Sequence, residues 1–314
     1  MSKEKKRKHL ILRTVIGTAA AGTAAYGSYA YLLFRNGFDT DKSRYHPDGL
    51  CPNSEETAMA NEWFMAAKRR DEYLRSYDGL SLHAIRIENH ADSDKWIVIM
   101  HGYHRCCWDM LHLMMEADRR GYNILACDER ASGNSEGHYT GLGWPEHYDL
   151  LSWVNHLNVL RPKSRIVIYG IDLGANAVMN AVGDFLPANV VCAIEEGGWA
   201  DIRRQFEYAA GREASLPVKP FMPAVDLLVR ANLSFSMNEV STIRQLSRCN
   251  IPMLFLHGAD DEIVPVSNAE ECAAAVRSEK EVVIFKATGF GGCRYNENYY
   301  DVLFGFADKH VLGS

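Results

Sequence analysis

The stretch that most constrains this chain is Arg165-Ile-Val-Ile-Tyr-Gly170-Ile-Asp172-Leu-Gly174-Ala-Asn-Ala-Val178. The β-branched apolar run Ile166 to Ile168 reads as a buried strand of a parallel sheet. The Ala, Val and Met-rich run from Gly174 to Val182 reads as a packed helix. Only a sharp turn fits between them. Its two glycines, Gly170 and Gly174, allow close approach of strand and helix. The residue at the centre, Asp172, is then held above the sheet at a helix N-terminus.

The same alternation recurs along the chain. Apolar strand-like runs cover Trp96–Met100, Asn123–Cys127, Arg165–Tyr169, Val190–Ile194, Pro252–Leu256 and Glu281–Phe285. Helical patterns fall between and after them, near 108–119, 148–160, 174–182, 268–277 and 299–309. Alternating strands and helices predict an α/β fold with a doubly wound, mostly parallel sheet. A helix is expected from the Ser54 cap to about Leu74, then a turn at Asp78-Gly79 and a strand over Ser81–Glu88. Residues 198–248 break the rhythm with helical runs around Pro217, Pro220 and Pro223. They are expected to form a helical lid over the carboxyl edge of the sheet, inserted into a domain spanning 55–314.

The first 36 residues differ from the rest. Lys3, Lys5, Lys6, Arg7 and Lys8 precede an uncharged run from Thr14 to Phe34. That run has the length of a transmembrane helix, and the basic flank places the N-terminus on the cytoplasmic side and the body outside. The expectation is a single-pass anchor in the cell membrane, with a linker over 37–54. A cleaved signal peptide ending near Ser28-Tyr29-Ala30 is the competing reading. The first 13 residues hold six of the 34 basic residues and one of the 40 acidic ones. The remainder, with 28 basic and 39 acidic residues, carries a formal charge of -11, which argues against a nucleic-acid partner. Eight cysteines show no metal-ligand spacing, and no cofactor or metal is expected.

Four motifs end strands in order: His101-Gly102-Tyr103, Asp128-Glu-Arg130 through Gly137, Gly170-Ile-Asp172-Leu-Gly174, and His257-Gly-Ala-Asp260-Asp261 through Pro265. Together they resemble the α/β-hydrolase superfamily, and most of all a membrane-anchored bacterial branch related to serine aminopeptidases and acetyl esterases. The third motif matches the strand-to-helix nucleophile elbow G-x-S-x-G with Asp172 in place of the serine. The resemblance implies an oxyanion hole from the N–H groups of Tyr103 and Leu173, and a triad acid at Asp261. It implies a histidine base after the last strand, where this chain has Phe290.

Neither loss depends on alignment. No histidine occurs between His257 and His310, and no serine or threonine from Arg165 through Ala214. An aspartate nucleophile, as in families resembling epoxide hydrolases, would still need a base to activate water for the second step. Asp172 is therefore expected to plug the oxyanion hole, or to pair with Arg294, which is also placed to pair with Asp261. Asp128 and Arg130 are expected to pair with each other. The functional expectation is a non-catalytic or repurposed binding module that takes a small-molecule or peptide ligand in a cleft under the lid. The alternative is an active ester or amide hydrolase with an unconventional Asp-based site.

Overall fold

The structure is a computed structural model that describes residues 22–40, 54–213 and 216–313. Its centre is an eight-stranded sheet in the order β1-β2-β4-β3-β5-β6-β7-β8. The strands are β1 (Arg69–Arg75), β2 (Ser81–Ile87), β3 (Lys95–Met100), β4 (Asn123–Cys127), β5 (Arg165–Ile171), β6 (Val190–Glu196), β7 (Met253–Gly258) and β8 (Lys280–Phe285). From β4 to β8 all neighbours are parallel, while β2 pairs antiparallel with β4 and with β1.

Each central strand sends alternate side chains to opposite faces. On one face Ile97, Ile99, Tyr169 and Ile194 pack under α2 (Ser54–Ala66), α3 (Leu111–Arg119) and α10 (Tyr299–Leu312). On the other, Val98, Met100 and Ile168 pack under α4 (Trp144–Leu160), α5 (Leu173–Ala181) and α9 (Ser267–Ala275). Both faces being covered explains why these strands read as unbroken apolar runs.

Residues 69–75, expected as the end of a helix, instead form β1. The helix stops at Ala66, and Arg69 to Arg75 pair residue by residue with Ile87 to Ser81. This edge strand buries none of its residues fully, so it lacks the apolar alternation that would reveal it. Asp128 and Arg130 do not pair with each other. Asp128 accepts from His83 at 2.7 Å, and Arg130 grips Asp149 through Nε and Nη2 at 2.7 and 2.8 Å. The seven described cysteines are buried.

Residues 22–38 form a helix, α1. Its first turns are exposed, but Ala30, Leu33, Phe34 and Phe38 are buried in a third core. That core is completed by α6 (Ile202–Glu213) and α7 (Met222–Leu233) of the expected lid, through residues such as Phe206, Met222 and Val225. Gly37 is needed there, because a Cβ on it would lie 2.3 Å from the Phe206 ring. Among the described residues no helix is long and apolar enough to cross a membrane. The described part of the expected transmembrane run, 22–34, thus supplies its last turns to the cap, while residues 14–21 lie outside the described residues. The expected linker begins with ordered chain: Thr40 N–H donates to His138 O at 3.1 Å, and Thr140 N–H to Phe38 O at 2.9 Å. The last part of the expected lid, α8 (Thr242–Leu246), packs elsewhere, with Leu246 in the core against the sheet.

Candidate functional site

The parallel register brings the ends of β3, β5, β6, β7 and β8 to one edge, where open α/β sheets place their ligand crevices. Met100 lies opposite Gly170, Ile171 opposite Glu196, and Glu196 opposite Leu256. Asp172 follows β5 directly and has φ 55° and ψ -111°, a conformation that a non-glycine residue holds only where its surroundings impose it. The glycines make the turn possible. A Cβ on Gly170 would sit 2.1 Å from Gly174 O, and one on Gly174 would sit 2.5 Å from Met100 O.

The Asp172 side chain is buried and turns toward the loop after β3. Tyr103 N–H donates to its Oδ2 at 2.8 Å, and the nearby Leu173 N–H favours the charged carboxylate. These are the two groups that the resemblance assigns to the oxyanion hole, and the elbow carboxyl takes the first. Gly102 leaves room for it, since a Cβ there would lie 3.1 Å from Oδ2. Burial pushes the Asp172 carboxyl up to about 7, against the lowering effect of the two N–H groups; nearby Asp261 adds to the rise.

Asp261 lies on the loop after β7. Its Oδ1 accepts the N–H groups of Ile263 and Val264, both at 2.8 Å. His257 Nε2 is 3.7 Å from Oδ2 but bonds Val264 O at 2.8 Å, so this imidazole is committed to the turn beneath the acid. Burial raises the Asp261 carboxyl above its ordinary value. Phe290 is 41% exposed, on the loop after β8. A void of about 10 Å³ is bounded by Asp172, Asp261, Glu196 and Phe290, where a base would have to bridge nucleophile and acid. Arg294 makes no ion pair within 4 Å with Asp172 or Asp261. Its Nη2 donates to Tyr295 Oη at 2.6 Å.

Above the elbow, on the cap side, Leu173, Trp199 and Val264 are buried together, with Tyr103 and Leu142 packed against them. Trp199 is fixed there through Asn176, whose Oδ1 accepts its N–H at 2.8 Å and whose Nδ2 donates to its carbonyl at 2.7 Å. The open space is on the other side. A cleft of about 80 Å³ runs from Asp172 between α3 and α10, lined by residues that include Tyr103, Arg105, Asp109, Glu196, Arg294 and Tyr299. No residue of 198–248 lines it, so this cleft is not the one expected under the lid.

In the sequence Glu195 and Glu196 end a strand at this edge and read as solvated loop acids or, alternatively, a paired-carboxylate site; the structure buries both, with Glu196 in the wall of this cleft. Glu196 is 3% exposed, and its Oε2 accepts from Tyr299 Oη at 2.5 Å and Tyr169 Oη at 2.8 Å. Burial raises its carboxyl, and the two phenols only partly offset that. The signal available was Tyr169, a phenol inside an otherwise aliphatic buried strand, which needs a partner for its hydroxyl. Glu195, fully buried beside it, is pushed by burial up to about 8 and accepts Gly198 N–H at 2.9 Å.

His101 is structural: it lies buried, with Nδ1 2.8 Å from Gly102 O and Nε2 accepting Glu129 N–H at 3.0 Å. Among the described residues one trio, His83, Cys107 and Asp128, has metal-ligand proximity. Both His83 nitrogens are already occupied, by Asp128 at 2.7 Å and Asp71 at 2.9 Å, so the trio serves as a buried hydrogen-bond centre rather than a metal seat.

No family model matches the chain. The uncharacterized protein YqkD of Bacillus subtilis is 28% identical over 194 residues, covering 62% of this chain and 64% of that protein. The uncharacterized protein YfhR of Salmonella typhi is 27% identical over 205 residues, covering 63% and 65%. The chain thus spans a little under two thirds of the curated relatives it matches. Among solved structures, the Pyrococcus furiosus esterase Pf2001 superposes with a TM-score of 0.66 at 20% identity, covering 79% of this chain and 94% of that one. Acetyl xylan esterase 1 from Thermoanaerobacterium gives 0.58 at 16%, over 82% and 93%. The Pyrococcus horikoshii acylaminoacyl peptidase gives 0.56 at 18%, over 81% and 44%.

Proposed function

We propose that this chain, which has the α/β-hydrolase fold, is a binding protein and not a multiple-turnover acyl hydrolase. The carrying observation is the 2.8 Å bond from Tyr103 N–H to Asp172 Oδ2. An oxyanion hole works by holding donors 2.7–3.1 Å from an oxygen that becomes charged in the transition state. Here the protein's own carboxyl oxygen fills that position before any substrate arrives. Two further observations support the reading. Phe290 occupies the loop of the base and has no proton to move. Leu173, which follows Asp172 directly, is buried against Trp199 and Val264.

The Asp172-nucleophile alternative asks more of the same site. Its Oδ1 could attack carbon while Oδ2 stays on Tyr103 N–H, but the resulting ester would need a base to activate water. That base is worth about 10²–10⁴-fold in rate. The carboxyls of Asp261 and Glu196 that border the void are already engaged, by backbone N–H groups and phenols. The test is a p-nitrophenyl acetate assay on the purified protein. Sustained turnover that disappears in Asp172→Asn would overturn the binding reading; a single burst that stops would point to an acetyl group trapped on Asp172 as a mixed anhydride.

Membrane attachment belongs to this proposal in a narrower form. With Ala30 to Phe38 docked on the cap, a lipid surface would be met by the chain ahead of residue 29, led by the basic run Lys3 to Lys8. Flotation of the full chain with vesicles containing anionic lipid checks this, and a protein that stays in the soluble fraction would remove it.

A further inference from the structure

We propose that the cleft between the elbow and α10 binds a small carboxylate, with the Arg294 guanidinium as its anchor. The inference rests on the binding reading above and names the ligand class for that site.

The hydrogen-bond inventory of the cleft carries it. Three carboxyls face the space, and each already has donors. Asp172 takes Tyr103 N–H, Glu196 takes the Tyr169 and Tyr299 hydroxyls, and Asp109 takes Cys106 N–H at 3.0 Å. Arg294 is a lining group with an unmet need, and it is a donor. Arg294 Nε is shielded from solvent and meets no acceptor among the described residues, while its Nη2 is turned to Tyr295. A shielded N–H of a guanidinium without an acceptor is costly, so the complement that Arg294 lacks is an acceptor, and a negatively charged one binds it best. A guanidinium presents its N–H groups in a planar fork that fits a carboxylate.

Size and charge narrow the class. About 80 Å³ is several times the ~10–15 Å³ that one water needs, enough for a molecule of a few non-hydrogen atoms. The walls around it include the rings of Tyr103, Phe290, Tyr299 and Tyr300, which suit a short apolar tail. A phosphate dianion would face Asp109, Asp172 and Glu196 with twice the charge. An alkylammonium would find those carboxyls already hydrogen-bonded and two guanidiniums, Arg105 and Arg294, in the same wall. A monoanion of about two to four carbons meets the donor with half that opposing charge. Burial raises both Asp172 and Glu196, which lessens the negative field such a ligand would meet near neutral pH.

Calorimetric titration of the full chain with acetate, propionate and pyruvate tests the proposal, with acetamide and methylammonium as controls. Carboxylate binding is expected, weakened about tenfold or more in Arg294→Gln and partly kept in Arg294→Lys. Circular dichroism on both variants separates lost binding from lost fold. Equal binding of acetamide, binding of methylammonium instead, unchanged binding in a folded Arg294→Gln, or no carboxylate binding at all would each overturn it. The ester assay keeps the two ideas apart. Turnover with carboxylate binding intact sinks only the binding-protein reading, and neither turnover nor carboxylate binding sinks only the ligand class.

Discussion

The hydroxyl of Tyr103 donates to Gly37 O at 3.1 Å, and the same residue's N–H holds the Asp172 carboxyl. Asn36 O accepts from the hydroxyl as well, also at 3.1 Å. One tyrosine therefore joins the end of α1 to the elbow. Its hydroxyl ties it to a helix seated on the cap, and its backbone lies in the loop after β3. The N-terminal helix is thus part of what keeps the oxyanion loop in place.

Phe38→Ala should loosen that arrangement. Phe38 is fully buried and stacks on Phe34 and Phe206, with ring centroids 5.3 and 5.4 Å apart. Truncating a buried phenylalanine costs about 3–5 kcal/mol. Urea unfolding should show a loss of that order. Hydrogen exchange should show faster exchange of the Tyr103 amide, which a change confined to the cap surface would leave alone.

Asp172→Asn should remove a pH dependence. The folded carboxyl is held near 7, well above its ordinary 3.8. Between those values the folded state keeps a proton that the unfolded chain has released. Stability from this group is therefore full below about pH 4 and falls as pH rises toward 7, by roughly 4 kcal/mol. The amide does not titrate. The variant and the wild type should match most closely near pH 4 and diverge by pH 8, with the variant the more stable. Denaturant melts at both pH values read this out, and a wild type that gains stability relative to the variant would contradict the buried-plug geometry.

Asp172→Ser combined with Phe290→His should create esterase activity. The serine frees Tyr103 N–H and Leu173 N–H to bind an oxyanion, and a histidine at 290 would border the void shared with Asp261. The double variant should exceed Asp172→Ser alone by about 10²–10⁴-fold in kcat for p-nitrophenyl acetate, the usual worth of a positioned base. Because Leu173 is buried against Trp199 and Val264, activity should fall steeply from acetate to longer acyl chains.

Arg130→Ala should be among the more damaging single changes outside the elbow. Its side chain is 4% exposed and bonds Asp149, which is 2% exposed, through two nitrogens, with Asp78 at 2.9 Å on another. Removing it strands a buried carboxylate, which costs about 3–5 kcal/mol. Thermal melts should show the loss, and Arg130→Ala with Asp149→Leu should recover part of it.

The sequence alone determined the alternation of strands and helices, the turn at Gly170 to Gly174, and the absence of a serine and a histidine where acyl transfer needs them. These are local or chain-order properties: a period, a small residue, a residue type at a position. Segments with no local signature went astray. Residues 69–75 are a strand only because β2 lies beside them, and nothing in their own pattern says so. Arg130 found its acid on α4, 19 residues away, and Arg294 found a tyrosine next door and not the elbow. The tertiary structure alone decided that Leu173 is buried against Trp199 and Val264, that the open cleft lies against α10, and that Asp172 is held by an N–H group 69 residues earlier in the chain. A side chain's partner is set by which loops the sheet brings to one edge, and that register is a property of the whole fold, which no short window of residues contains.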